Sequence, residues 1–242
     1  MKLKALTLAT AMALTALAAQ TPARADTLVL NGWVFADNAN LQFNISSIPG
    51  RGDLNNEWAG EFSGSLTTGA NSQSFQTYCV DLWQYFNWGV PFSVTQVSPA
   101  ADPLAWYTPT TALNLGRLFN TAGSVSNAVQ SSALQLAIWD IVTGDPTKAY
   151  KLDGSNGIDV VSNGGARQAD EQLAISTANG WLANLASTSQ NDVYVLYASN
   201  SQDQLLLVPG NGGFTPNVPE PETYAMMLAG LGMIGLFARR RA

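Results

Sequence analysis

One thiol in a chain built for export sets the first constraint. Cys79 is the only cysteine among 242 residues, so the paired disulfides that exported domains normally use are out of reach. A leftover cysteine in such a chain points to intermolecular pairing or to a thiol with special chemistry. Export is read from residues 1–25. Lys2 and Lys4 give a positive start, Ala5 to Ala19 is an apolar run of small residues, and Ala23-Arg24-Ala25 fits an A-x-A cleavage site before Asp26. The apolar run is short and rich in Ala and Thr, which argues against a spanning helix.

The other end has its own pattern. Residues 211–217 read as a linker, and Pro216 to Glu222 is rich in proline and acid. Tyr224 to Ala238 is an apolar stretch with three glycines, and Arg239-Arg240-Arg241 follows directly. As a helix, that stretch rises only about 22 Å at ~1.5 Å per residue, short of the roughly 30 Å hydrocarbon core. The arginines would hold its end on the cytoplasmic side, making a marginal, transient inner-membrane anchor. With Pro219-Glu220-Pro221 ahead of it, the segment 218–242 resembles a PEP-CTERM sorting signal. That resemblance implies an exosortase as processing partner and a place at the cell surface or in the extracellular matrix of a Gram-negative bacterium.

Residues 26–210 are left as one domain. Between Asp26 and Asn217, five basic residues face fifteen acidic ones, a net charge near −10. Such a surface argues against nucleic acid or an anionic membrane as partner. The chain has no histidine, which removes His-based triads, His metal sites and His general bases. No cofactor or metal is expected.

Periodicity divides the domain. Asp26 to Phe35, Leu41 to Ile48, Trp58 to Ser65 and Ser74 to Leu82 read as strands, the last placing Phe75, Thr77, Cys79 and Asp81 on one face. Arg51-Gly52-Asp53 lies in a turn-rich stretch and reads as turn chemistry before ligand. Leu113 to Ala122 opens a helical pattern. Val125 to Val142 follows with Leu134, Ala137, Ile138 and Ile141 on one stripe, stopped by Gly144-Asp145-Pro146. Asp153 to Gly165 reads as a loop, Gln168 to Leu185 as another helix, and Val193 to Tyr197 with Gln204 to Val208 as a closing hairpin. The expected fold class is α+β, a β-sandwich with a helical insertion or sub-domain.

Two short strings stand out within this frame: Tyr78-Cys79-Val80 on a strand, and Gln135-Leu136-Ala137-Ile138-Trp139 on a helix. Together they resemble the Cys–Gln thioester domains of bacterial surface adhesins, in which an aromatic-Cys-Val string and a Gln-x-Ala-Ile-Trp helix supply the halves of an internal thioester. The resemblance implies a bond between Cys79 and Gln135, with Tyr78, Val80, Ala137, Ile138 and Trp139 as supporting positions. It also implies one-shot covalent attachment to an amine- or hydroxyl-bearing surface protein or polysaccharide, in adhesion or biofilm-matrix crosslinking. Such a reaction has no turnover, so the chain is not expected to be an enzyme. Aromatic residues near the cysteine (Tyr78, Trp83, Tyr85, Phe86 and Trp88) and Trp139, one helical turn beyond Gln135, suit a shield against water.

Two other readings come from the same residues. A lone cysteine on a strand is commonly a small buried hydrophobe, and a glutamine beside an amphipathic stripe is commonly solvated. The chain is then a non-covalent, exopolysaccharide-associated structural or carbohydrate-binding protein, using Trp and Tyr as sugar platforms. Alternatively, Asp81, Asp140 and Asp159 could pair for glycoside chemistry, although no motif joins them.

Overall fold

The computed structural model describes residues 26–35, 41–99 and 104–209. The export signal, the linker, and the tail with Pro219, Glu220, Pro221 and Arg239 to Arg241 lie outside the described residues. Nine strands and three α-helices are described: β1 Asp26–Trp33, β2 Leu41–Ser46, β3 Leu54–Ala59, β4 Phe62–Thr68, β5 Asn71–Thr77, β6 Phe92–Val97, α1 Pro109–Ala122, α2 Ala128–Thr143, β7 Asp159–Ser162, α3 Gln168–Ala183, β8 Asn191–Tyr197 and β9 Gln204–Pro209. No helix among the described residues is long and apolar enough to cross a membrane.

Two antiparallel sheets carry the strands. The larger has the order β5-β4-β1-β6-β8-β9 and the smaller β3-β2-β7. Because β6 and β8 are hydrogen-bonded neighbours, the three helices and β7 form an excursion between two adjacent strands. The fold is therefore α+β, with curled antiparallel sheets and a helical insertion. Tyr107 helps fix the insertion to the sheet: its ring is fully buried and its hydroxyl donates to the Val193 carbonyl of β8.

The larger sheet nearly closes on itself. Beyond β5 the chain turns its free edge toward β9, where the Leu205 N–H donates to the Tyr78 carbonyl at 2.9 Å and the Val80 N–H donates to the Asp203 carbonyl at 3.0 Å. Thr77 adds a side-chain bond to the Leu205 carbonyl at 2.8 Å. Joining the two edge strands removes unpaired backbone that would otherwise face water or another chain. Cys79 sits in the middle of this seam, bridged to Gln204.

Helix α2 runs through the interior. Ala133 to Val142 is buried without interruption, so the helix is enclosed on every side and not on the one stripe that its spacing predicts. Its start is capped by Asn127, whose side chain accepts from the Gln130 N–H at 2.9 Å. Gln130 in turn accepts from the Ser126 N–H at 2.9 Å, a reciprocal arrangement that satisfies otherwise orphaned donors.

Several expected boundaries move, each for a physical reason. The run Trp58 to Ser65 is not one strand: Gly60-Glu61 carries the chain from the smaller sheet to the larger. That corner is held by α2, where Ser131 accepts from the Glu61 N–H at 2.8 Å and Ser132 donates to the Ala59 carbonyl at 2.8 Å. The strand expected over Ser74 to Leu82 ends at Thr77. From there Tyr78 to Leu82 is buried at every residue, so the two-face alternation fails where the chain enters the seam. Strand β7 lies inside the expected loop, paired with β2 from Phe43–Ser162 to Ser46–Asp159. Strand β6, after Pro91, was not expected, although Phe92-Ser93-Val94-Thr95 alternates apolar and polar residues.

The interior also holds acids. Asp140, fully buried on α2, accepts from the Ile158 N–H at 3.1 Å while its second oxygen has no partner. Burial pushes its carboxyl up to about 7, and burial does the same to Asp203, also to about 7. Each holds its proton more tightly folded than unfolded. The stability these two groups contribute is therefore fully present below the unfolded carboxylate range near pH 4 and is lost as pH rises through about 7. Thermal unfolding of the processed domain will show a higher midpoint at pH 5 than at pH 8, and Asp140→Asn will shrink that difference. A midpoint that drops on acidification from 8 to 5 contradicts this reading of the buried acids.

Candidate functional site

Cys79 and Gln135 meet. The Gln135 side chain lies against the Cys79 backbone, its Oε1 accepting from the Cys79 N–H at 3.1 Å and its Nε2 donating to the Cys79 carbonyl at 2.8 Å. Gln135 is completely buried and Cys79 is 1 % exposed. The alternative reading of a solvated glutamine is overturned: the helix that carries it is enclosed, and only a paired amide survives there without a large desolvation cost. The primary amide completes the hydrogen bonding of Cys79 much as a neighbouring strand would.

The local chain explains why these two residues converge. Tyr78 and Val80 use their backbones on β9, leaving Cys79, between them, to present its N–H and C=O on the opposite side, toward α2. The supporting positions divide their work. Val80, Ala137 and Ile138 are fully buried core. The Tyr78 ring packs on Phe119 with centroids 6.1 Å apart. Burial, reinforced by the neighbouring Glu61 carboxylate, raises the Tyr78 hydroxyl pKa.

The thiol is held protonated. Burial raises the Cys79 pKa well above its ordinary value, and the carboxylates of Asp81 and Glu57 push in the same direction. The Trp139 indole N–H opposes them by favouring the thiolate, although it completes no hydrogen bond of normal geometry. Asp81 is itself a structural clasp. Its Oδ1 accepts from the N–H groups of Trp83 at 3.0 Å and Gln84 at 2.9 Å, and its Oδ2 from the Asp203 N–H at 2.7 Å. Burial raises its pKa while those donors restrain the rise.

A cleft of about 190 Å³ reaches this thiol. Cys79 and Trp139, both nearly fully buried, line it, and much of its wall is aromatic: Trp33, Phe62, Phe86 and Trp88 border it. These four rings brace one another, with Trp33 and Phe62 4.6 Å apart and Phe86 and Trp88 4.7 Å apart, centroid to centroid. At the cleft, Glu57 accepts from the Tyr85 hydroxyl at 2.9 Å, which accepts from Arg51 at 2.9 Å. Arg51 thus has a structural partner within the turn-rich stretch that holds Arg51-Gly52-Asp53.

Of the aromatic residues expected around the cysteine, Tyr85, Phe86, Trp88 and Trp139 share its cleft. Trp83 faces a different one, and Tyr78 turns into the core. Trp33, Glu57 and Phe62 were missed; they come from the first third of the chain, and no local pattern marks a wall built by strands so far from Cys79 in sequence. The three acids considered for glycoside chemistry serve separate backbone or loop contacts, with Asp159 accepting from Ser46 at 3.5 Å. Among the described residues, no three His, Cys, Asp or Glu side chains gather as metal ligands.

Removing the Gln135 amide leaves a buried N–H and a buried C=O without partners, each costing about 1–3 kcal/mol. In the domain whose amide is unreacted, Gln135→Ala will therefore lower unfolding free energy by about 3 kcal/mol or more, against about 1 kcal/mol for Cys79→Ala, which there removes only the sulfur. Denaturant melts of the processed domain check this; equal losses would show that the amide does not lock the seam.

Comparison with known proteins adds a sorting signal and a distant likeness. Residues 217–241 match the family model of the PEP-CTERM protein-sorting motif. Among solved structures the chain is similar to the N-terminal domain of the Streptococcus pyogenes pilus tip adhesin Cpa, at 12% identity and a TM-score of 0.38, covering 74% of this chain and 98% of that one. No curated protein matches the sequence. The motif at the C-terminus marks this chain for export, exosortase processing and association with a Gram-negative cell surface.

Proposed function

We propose that the domain forms an internal thioester between Cys79 and Gln135 and uses it once, to attach covalently to an amine- or hydroxyl-bearing surface molecule. The observation that carries this reading is the pair of hydrogen bonds between the Gln135 amide and the Cys79 backbone, which fixes the glutamine beside the residue that bears the thiol. In the first step Sγ attacks the Gln135 side-chain carbonyl carbon. The Cys79 N–H, already donating to Oε1, stabilises the developing oxyanion. The C–N bond then breaks. Ammonia carries off the two amide hydrogens and the thiol proton, leaving the S–C(=O) bond.

Burial bears on this step in two ways. It disfavours the thiolate, the better nucleophile, yet it keeps on sulfur the proton that departing ammonia needs. Rigid mounting compensates for the weak nucleophile: a pair held in reacting geometry gains on the order of 7–11 kcal/mol over free encounter. In the second step a partner amine enters through the aromatic cleft and attacks the thioester. It forms an amide at position 135 and releases the Cys79 thiol; a hydroxyl forms an ester by the same route. Surface attachment through this bond is consistent with the address carried by residues 217–241.

A second reading has its own observation. The Gln135 amide is fully used by two ordinary hydrogen bonds, and the thiol is held protonated. Cys79 and Gln135 are then a permanent, unreacted lock within a non-covalent surface protein.

Intact mass separates the two. The secreted domain will be lighter than its sequence by one ammonia. Methylamine will replace that deficit with an adduct mapping to residue 135 and will free one titratable thiol. Cys79→Ala and Gln135→Ala will show neither deficit nor adduct. Full mass with a free thiol in the folded, untreated protein overturns the thioester and leaves the lock.

A further inference from the structure

A larger cleft is bordered by Asp81. It measures about 490 Å³ and is bordered by Trp83, Trp106 and Tyr197, by Thr108 and Thr111 at the start of α1, and by Asp203. Its volume is that of a small-molecule site. Its makeup narrows the ligand. Three aromatic side chains offer broad apolar faces with little conformational freedom to lose, and Tyr197 stands 38 % exposed at the surface. The polar side chains carry hydroxyls, carboxyls and the Gln84 amide. Asp203 is 3 % exposed, and its Oδ1 accepts from the Ala198 N–H at 2.7 Å.

We infer that this cleft binds a neutral saccharide segment of an extracellular polysaccharide, sandwiching pyranose rings against Trp83, Trp106 and Tyr197 and hydrogen-bonding their hydroxyls through Asp203, Thr108 and Thr111. Pyranoses present an apolar C–H face to an aromatic ring and a rim of hydroxyls that both donate and accept. Thr108 and Thr111, whose hydroxyls lie 2.9 Å apart, can likewise act either way. An anionic polymer does not fit: no lysine or arginine borders the cleft among the described residues, and the domain is strongly acidic. An organic cation fits less well than a sugar. The Asp81 carboxylate is already surrounded by three backbone N–H donors, and burial pushes the Asp203 carboxyl up, toward its neutral form. Little free negative charge remains to attract an ammonium group. The inference does not rest on the thioester, because it uses neither Cys79 nor Gln135.

Titration calorimetry on the secreted domain tests it. Short neutral oligosaccharides of the gluco-, manno- and galacto-series are the probes, with oligogalacturonate and cadaverine as anionic and cationic comparisons. At least one neutral series will bind. Tyr197→Ala, at an exposed position that leaves the core intact, and Trp106→Ala will each weaken that binding by about tenfold or more. Leu173→Ala, an exposed apolar change on α3, will leave it unchanged. Absence of binding by every neutral series, binding untouched by both aromatic variants, or preference for either charged probe would each overturn the proposal.

Discussion

The structure depends on a buried helix whose few polar side chains are each spent on a different return of the chain. Along α2, Ser131 and Ser132 hold the corner between the two sheets, Gln135 holds the seam at Cys79, and Asp140 holds the segment entering β7. Surrounding positions are apolar and enclosed. An all-apolar helix in the same place would bury as much area but would fix neither the register of the seam nor the corner. In a domain without disulfides, these directional contacts supply long-range constraint. Breaking any one strands buried backbone, which costs more than the bond itself contributes.

The same arrangement gives Gln135 two possible meanings. As a lock, it replaces the hydrogen-bonding neighbour that Cys79 lacks on the α2 side. As half of a thioester, it exchanges ammonia for sulfur while the helix and seam remain as mounts. A cleft walled by mutually braced aromatic rings leads to the cysteine, which suits a bond that must be shielded from water and still be reachable. Asp81 borders the second cleft and clasps the turn after the seam to the residue before β9.

Much of this was legible in the residues. The three helices and the closing hairpin follow from spacing and from breakers such as Gly144-Asp145-Pro146, because local periodicity and turn chemistry decide them. The pairing of Cys79 with Gln135 was legible only as a resemblance between two strings. Spacing alone says nothing about a contact across 56 residues. The strand boundaries near the site failed for an instructive reason. Residues 78–82 pack against α2 on one side and β9 on the other, so every side chain is buried and alternation disappears. Likewise the full burial of Gln135 was invisible, since an amide in a helix reads as polar until its hydrogen-bonding partner is known. The cleft walls drew on Trp33, Glu57 and Phe62, which only tertiary folding brings to Cys79.

The most direct probe of the central claim is the side-chain carbonyl carbon of Gln135 itself. With glutamine labelled at that carbon, the folded secreted domain should give one resonance displaced far downfield, from the amide range into the thioester range. It should return to the amide range in Cys79→Ser. A Gln135 carbonyl that stays with the other glutamines in the native protein would contradict the account, leaving hydrogen bonds as the sole link between helix and seam.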